Sequence, residues 1–259
     1  MRITSIQTDI YWENIDENLN QLTKTFKTLP SSDLVILPEM FTTGFTMNAH
    51  RVAEKKEDKT LSWMKKMSSN YGVMIIGSIP VMEKAHYYNR LFVVNNDQIE
   101  YYDKRHLFSM ANEDQTYSSG NRSIVIDYKG WKIMPLICYD LRFPVWSRNH
   151  FKDKNYKYDI LIYIANWPAR RSSAWVDLLK ARAIENSCYT FGVNRVGTDG
   201  NQVHYDGRSR TFDFLGNRMD QFESDNAMID QTICEKSKLT EFRKRFPVLQ
   251  DADHFTLKY

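Results

Sequence analysis

Cysteine is scarce in this chain. Three occur in 259 residues, Cys138, Cys188 and Cys234. The number is odd and no C-x-x-C pair is present, so a disulfide framework is not expected and reduced thiols are the simpler reading. The six histidines (His50, His86, His106, His150, His204 and His254) are scattered without metal-ligand spacing, and no zinc or other metal is expected. Charge of one sign is also missing. Thirty-five basic residues face 32 acidic ones, a net +3 that is too even to suggest a polyanion. No run of Lys and Arg is long enough to track a nucleic-acid backbone. Long apolar runs are absent too. DLVILPEM, VMIIGSIPVM and DILIYIANW are the longest, far short of a membrane span. The N-terminal MRITSIQTDIYW alternates apolar and polar residues like a strand and has no uninterrupted signal-peptide core. These absences leave a cytoplasmic enzyme or binding protein, with neither nucleic acid nor membrane as partner.

What is present is a globular composition, 42% hydrophobic and 14% aromatic, in a length near the upper end of what one core supports. RITSIQTDI reads as a strand. Ile15, Leu19, Leu22, Phe26 and Leu29 then form one stripe of an amphipathic helix, stopped by Pro30. DLVILPE follows as a short buried strand, completing a βαβ unit with parallel strands. Leu61, Met64 and Met67 mark a second helix ended by Gly72, and VMIIGSIPV is another buried strand. HYYNRLFVVN and QIEYYDKRHLF read as a hairpin about Asn96 and Asp97, and IVIDYKGWKIMPLIC as a second, turning at Lys129 and Gly130. A short helix near Val145–Phe151 is expected next, then strand DILIYIAN, helix AWVDLLKARAIENSC and strand YTFGVNRVG. HYDGRSRTFDFLGN and AMIDQTIC look hairpin-like, and KSKLTEFRKRF forms a last helix. Two hairpins do not fit a purely alternating βαβα order, so two sheets with helices outside are expected. No repeat, low-complexity tract or linker divides the chain. Residues 1–259 are read as one domain, with a C-terminal helix and tail (about 236–259) at the surface or a subunit interface.

Three apolar strands end on chemically useful residues. Glu39 closes DLVILPE, Lys104 follows QIEYYD and Cys138 closes KIMPLIC. In α/β sheets chemistry collects beyond the carboxyl ends of strands. Taken singly, Cys138 reads as a small core hydrophobe, Glu39 as an acceptor for loop N–H groups and Lys104 as a solvated surface charge. Together they make a complete set. A thiol with a free pKa near ~8.5 is mostly protonated at neutral pH and must be activated. A carboxylate can take its proton as general base, and an ammonium favours the thiolate. The same ammonium can hold the oxyanion formed when sulfur attacks a carbonyl, a contribution on the order of 3 kcal/mol in the transition state. The protonated carboxyl can then deliver its proton to a departing amine.

LPEMFTTGF, YDKRHLF and LICYDLRFP resemble the Glu, Lys and Cys motifs of the nitrilase superfamily of carbon–nitrogen hydrolases. YDKRHLFSMANEDQTYSSG, MPLICYDLRFPVWSRN, YIANWPARR, ARAIENSCY, NRVGTDGN and FPVLQDAD further resemble its bacterial omega-amidase branch. The resemblance implies an α/β fold, a four-layer α-β-β-α sandwich of two mixed sheets with outer helices, paired into a homodimer or higher homo-oligomer. It also implies Glu39 as base, Lys104 as oxyanion-stabilising lysine, Cys138 as nucleophile and Glu113 as a second glutamate that positions substrate or Lys104. The backbone N–H of Tyr139 becomes the second oxyanion donor. The implied reaction is hydrolysis of the terminal amide of 2-oxoglutaramate or 2-oxosuccinamate through a cysteine thioester, with no cofactor. The far carboxylate of such a substrate needs a cation, and Arg142 is the candidate, against an ion pair with Asp140. Phe41 and Trp167 are candidate pocket walls. Three rival readings remain: another amidase, nitrilase or carbamoyl hydrolase of the superfamily; a Cys–His hydrolase using His106 or His150; and a catalytically silent binding protein on the same fold.

Overall fold

The computed structural model describes residues 1–55, 58–253 and 255–257; His254 and the last two residues of the expected tail lie outside them. Strand β1 (Arg2–Gln7) leads into helix α1 (Ile15–Phe26). The Asn14 side chain caps that helix by accepting the Glu17 N–H at 3.1 Å, with Asp16 and Glu17 suited to the positive helix end. Leu19, Leu22 and Phe26 are its buried stripe, as the spacing predicts. Strand β2 (Leu34–Ile36) returns parallel to β1, so the βαβ unit forms. The short helix α2 (Ala49–Val52) and helix α3 (Lys59–Tyr71) follow. Gly72 ends α3 at φ +62°, a left-handed cap that costs glycine little, donating its N–H to Ser68 O. Strands β3 (Met74–Glu83), β4 (His86–Asn95) and β5 (Gln98–Asp103) then run antiparallel in succession.

The second sheet starts with the predicted hairpin of β6 (Ile126–Tyr128) and β7 (Trp131–Ile137). Its turn residues Lys129 and Gly130 both have positive φ, +47° and +77°, as a two-residue hairpin turn of matching twist requires. Between the sheets in sequence lies the one-turn helix α4 (Glu113–Thr116), and after β7 the one-turn helix α5 (Pro144–Ser147). A small ribbon, β8 (Phe151–Lys152) with β9 (Asn155–Tyr156), precedes β10 (Ile160–Ala165), helix α6 (Ser172–Glu185) and β11 (Tyr189–Asn194). The chain ends with β12 (Val196–Thr198), β13 (His204–Asp206), β14 (Arg210–Phe212), β15 (Met228–Ile233) and helix α7 (Lys236–Arg245).

The sheet orders are β15-β1-β2-β3-β4-β5 and β14-β11-β10-β7-β6, each mixing parallel and antiparallel pairs. Strand alternation builds the layers. Leu34, Ile36, Met74, Ile76, Leu91 and Val93 face the second sheet in one core. Their neighbours Val35, Ile75, Phe92 and Val94 face Leu19, Leu22, Phe26, Leu61 and Met64 of the outer helices α1 and α3 in another. On the opposite side α6 packs on β11, where a Cβ at Gly192 would stand 2.2 Å from a Leu179 methyl. The result is the expected α-β-β-α sandwich.

Two local expectations fail. The helix near Val145–Phe151 is shorter and earlier, because Pro144 is a favourable first helical residue and Phe151 pairs with Tyr156 as strand. The hairpin-like tail pairs with itself only in a tight turn, where Phe212 bridges Arg218 and Met219 N–H donates to Thr211 O at 2.8 Å. Its segments are distributed: β13 pairs with β12, β14 with β11, and β15 crosses back to β1 with Arg2 opposite Ile233.

Candidate active site

The three strand-end residues converge. Just past β2 the chain stays pinned to β3, with Leu37 N–H donating to Ile76 O at 2.8 Å and Phe41 N–H to Ser78 O at 3.1 Å, which fixes Glu39 between them. Lys104 leaves β5 directly, its N–H donating to Asn89 O at 3.0 Å and its carbonyl accepting from Gly120 at 2.9 Å. Gly120 is a close-approach glycine, since a Cβ there would lie 2.1 Å from Asp103 O. Cys138 leaves β7 at φ +43°, left-handed backbone that a residue with a Cβ adopts only under strain. Asp140 holds this sharp elbow: its carboxylate accepts from Ile137 N–H (3.0 Å), Tyr102 OH (2.7 Å), His106 N–H (3.0 Å) and His106 Nδ1 (2.8 Å).

A dense charge network lies beside the thiol. Lys104 Nζ donates to Glu39 Oε1 and to both Glu113 oxygens, all at 2.9 Å. Lys104 is 1% exposed and both glutamates 0%. Glu39 Oε2 accepts the Asn166 backbone N–H at 2.8 Å, Glu39 O accepts Asn166 Nδ2 at 2.6 Å, and Asn89 Nδ2 donates to Glu39 Oε1 at 2.7 Å. Glu113 Oε2 accepts the Phe108 N–H at 2.6 Å. Burial alone would lower the Lys104 pKa, but the Glu113 and Glu39 charges outweigh it and hold the ammonium well above the ordinary lysine value. Burial pushes the Glu113 carboxyl up against the pull of Lys104. Burial also pushes the Cys138 thiol up; Glu39 adds to that rise and Lys104 opposes it. Cys138 therefore rests as a neutral thiol, and its proton must leave as the sulfur attacks.

Cys138 and Lys104 line one cavity of about 240 Å³. Tyr139, Arg142, Asn166 and Trp167 line it as well. Tyr139 is the second residue of a 3₁₀ turn, Cys138–Arg142, in a position whose N–H has no acceptor within the turn. Arg142 does not pair with Asp140, whose oxygens serve Tyr102, Ile137 and His106; its guanidinium stands 5.0 Å from the Trp167 ring centroid. Phe41 is a correction. Its side chain lies in the outer core, 6.1 Å from the Trp63 ring, because Met40 at φ +43° breaks the strand alternation that would put Phe41 on the same face as Glu39. Neither histidine of the Cys–His reading lines the cavity. His106 is bound to Asp140 and stacked on Phe143 at 3.9 Å, and His150 is exposed on a different face.

Sequence reasoning missed Asn89 and Asn166. Asn89 interrupts the apolar run of β4, an anomaly that a period-2 strand reading absorbs without comment. Asn166 carried the same signal as Cys138, a polar residue closing the apolar strand DILIYIAN. Arg170 and Arg171, within the quoted YIANWPARR, also reach the cavity. Among the described residues no group of His, Cys, Asp and Glu could hold a metal ion, and no helix is long and apolar enough to cross a membrane.

Comparison with known proteins bears on this geometry. The family model for carbon–nitrogen hydrolases matches residues 2–233. The chain is 40% identical to the omega-amidase YafV of Escherichia coli strain K12 over 258 residues, covering 99% of this chain and 98% of that one. It is 31% identical to the 2-oxoglutaramate amidase of Bacillus subtilis strain 168, covering 96% of each. Among solved structures it is similar to XC1258 from Xanthomonas campestris, a CN-hydrolase superfamily protein with an arsenic adduct in its active site. The TM-score is 0.96, with 40% identity over 100% of this chain and 99% of that one. Nit3 of Saccharomyces cerevisiae, of the nitrilase superfamily, shares the fold at a TM-score of 0.81 and 22% identity, over 96% and 94% of the two chains.

Proposed function

This chain belongs to the carbon–nitrogen hydrolase family, within the nitrilase superfamily, and from that premise we propose that it is an omega-amidase. It hydrolyses the terminal amide of small dicarboxylic keto-acid monoamides, 2-oxoglutaramate and 2-oxosuccinamate, to the dicarboxylic acid and ammonia. The omega-amidase and 2-oxoglutaramate amidase relatives support the substrate class. The observation that carries the chemistry is the Lys104 ammonium held between two buried carboxylates beside a strained, protonated thiol.

Glu39 takes the Cys138 proton as sulfur attacks the amide carbon. Lys104 and the Tyr139 N–H hold the oxyanion. The tetrahedral centre collapses, breaking the C–N bond, while Glu39 returns its proton to the leaving nitrogen and ammonia departs. A thioester on Cys138 remains. Glu39 then deprotonates a water, whose attack releases the carboxylic acid and restores the thiol. Glu113 fixes Lys104 with two bonds, so the ammonium is pre-aimed and not recruited during the step. Trp167 walls the pocket and Arg142 adds positive charge for the substrate's far carboxylate. Reaction and residues require no cofactor.

We further assign the chain to the cytoplasm and to a homodimer. Exposed Val145 and Phe255 share one surface depression with the C-terminal tail, and that apolar face supports pairing of two copies there. Size-exclusion chromatography with light scattering tests it; a monomer at micromolar concentration sinks the dimer.

The deciding experiment measures ammonia release from 2-oxoglutaramate, 2-oxosuccinamate, simple aliphatic amides and nitriles, with intact mass spectrometry of the trapped acyl-enzyme. An adduct on Cys138 and preference for the keto-acid amides are expected. Full activity in Cys138→Ala, or an adduct on Cys188 or Cys234, removes the mechanism. A plain amide or nitrile that wins by a wide margin removes the omega-amidase assignment and leaves the family.

A further inference from the structure

Three guanidinium groups, Arg142, Arg170 and Arg171, also line the cavity. None of them has an ion-pair partner among the described residues. Arg142 lies over Trp167 and Arg171 over Phe108, at 5.0 and 5.3 Å from the ring centroids. Arg171 is half-buried, and its Nη1 is shielded from solvent with no hydrogen-bond partner among the described residues. The acid that lines the same cavity, Asp199, is already occupied, accepting from Asn201 N–H, Val203 N–H and Tyr205 OH. Lys104, the remaining cation, is matched by two carboxylates.

Three like charges around one cavity repel, and a buried donor left without an acceptor costs free energy. The repulsion is felt at Arg171, where burial and then the charges of Arg170 and Arg142 all act against its protonated form. Exposed Arg142 and Arg170 are partly screened by water, and an anion in the cavity would relieve both the repulsion and the unpaired Arg171 donor. A guanidinium fork matches a flat carboxylate with two acceptor oxygens better than it matches a point ligand.

We propose that Arg171 is the residue that binds the substrate's far carboxylate, with Arg142 and Arg170 supplying a surrounding positive field, so that the site selects anionic amides over neutral ones. The inference rests on the omega-amidase reading for the identity of the anion, and on the arginine cluster alone for its existence. Arg142 then acts in attraction and Arg171 in positioning the substrate. The distinction matters because a field guides entry in a salt-dependent way, whereas a fork fixes the distance from carboxylate to amide.

The test uses the full chain and two independent readouts. The first is calorimetric binding of 2-oxoglutarate, the product of the proposed reaction. The second is the ratio of kcat/KM for 2-oxoglutaramate to that for butyramide. In Arg171→Met both should fall by roughly 10- to 100-fold, the range for losing charged hydrogen bonds. Arg171→Lys, which keeps charge and loses the fork, should recover only part; it also carries the test if the methionine variant misfolds. Arg142→Gln should weaken 2-oxoglutarate binding less, and mainly at low salt. Arg245→Gln, on exposed α7, is the control and should change neither readout. If Arg171→Met leaves binding and ratio unchanged while wild type turns over 2-oxoglutaramate, the arginine site is wrong and the omega-amidase reading stands. If wild type releases no ammonia from either keto-acid amide but binds 2-oxoglutarate through Arg171, the site stands and that reading falls.

Discussion

Replacing Lys104 by methionine isolates the electrostatic centre of the site, because methionine retains most of the stem and discards only the charge. Lys104 is enclosed and makes three 2.9 Å bonds to Glu39 and Glu113, both fully buried. Summing three charge-assisted bonds would overcount, since much of their strength only offsets the desolvation of all three groups. The better guide is the cost of orphaning one side of a buried ion pair, about 3–5 kcal/mol. For a chain of this length that corresponds to a fall of roughly 6–20 °C in Tm. The loss has a pH signature. Burial already raises the Glu113 carboxyl above its ordinary value, with Lys104 pulling it down. Without Lys104 it rises further, so the folded variant binds a proton more tightly than the unfolded chain does. A raised carboxyl destabilises the fold increasingly as pH climbs from the unfolded pKa through the folded one. The Tm deficit against wild type, read by circular dichroism, should therefore be larger at pH 8 than at pH 5.5. Lys104→Met with Glu113→Gln should melt above Lys104→Met alone at pH 8. Equal deficits at both pH values, or no rescue by the second substitution, would falsify the account of Lys104 as the counter-ion of two ionised glutamates.

The strain at Cys138 predicts an inversion of the usual ranking: Cys138→Gly should be more stable than Cys138→Ala by about 1 kcal/mol in urea denaturation, because φ +43° is free only to glycine. An alanine variant as stable as the glycine one refutes the strain. Asn89→Leu removes donors to Glu39 and Glu113 at 2.7 and 3.3 Å without touching the cavity. Steady-state kinetics should show kcat down by about 10-fold with KM nearly constant; a change confined to KM assigns Asn89 to substrate contact instead. His106→Ala should lower Tm and reduce kcat by no more than about 10-fold, since it loses an elbow contact, whereas Glu39→Gln should cost about 10³ as loss of the base. The opposite ranking restores the Cys–His hydrolase.

Much of the fold was legible because it is written in local periodicity. The α1 stripe needs only residues 15–26, and the Lys129-Gly130 turn needs only two. The tail was illegible for the complementary reason. Nothing in AMIDQTIC says that Met228–Ile233 pairs with Arg2–Gln7, more than 200 residues away, and not with the neighbouring segment. That pairing is chosen by which sheet edge is left open when the rest has folded. Helix α5 shows the limit at close range, where Pro144 sets an earlier start and Phe151 is taken by a strand pair with Tyr156.

The site divides along the same line. Residues at strand exits are visible because a polar side chain after a buried strand is locally anomalous. Residues that hold them are not, because Asn89 lies mid-strand and Asp140 has the look of a surface acid. Yet those two decide what the visible residues can do. Asp140 gathers the elbow, Tyr102 and His106 into one knot, so the histidine nearest in sequence to Lys104 is spent on shape and withdrawn from proton transfer. Asn89 and the Asn166 N–H each donate to one oxygen of the Glu39 carboxylate, and Lys104 is its one cationic partner among the described residues. Lys104 gives two of its three bonds to Glu113, so Glu39 can accept a proton and surrender it while the ammonium keeps a carboxylate counter-charge. A glutamate that serves first as base and then as acid needs that property.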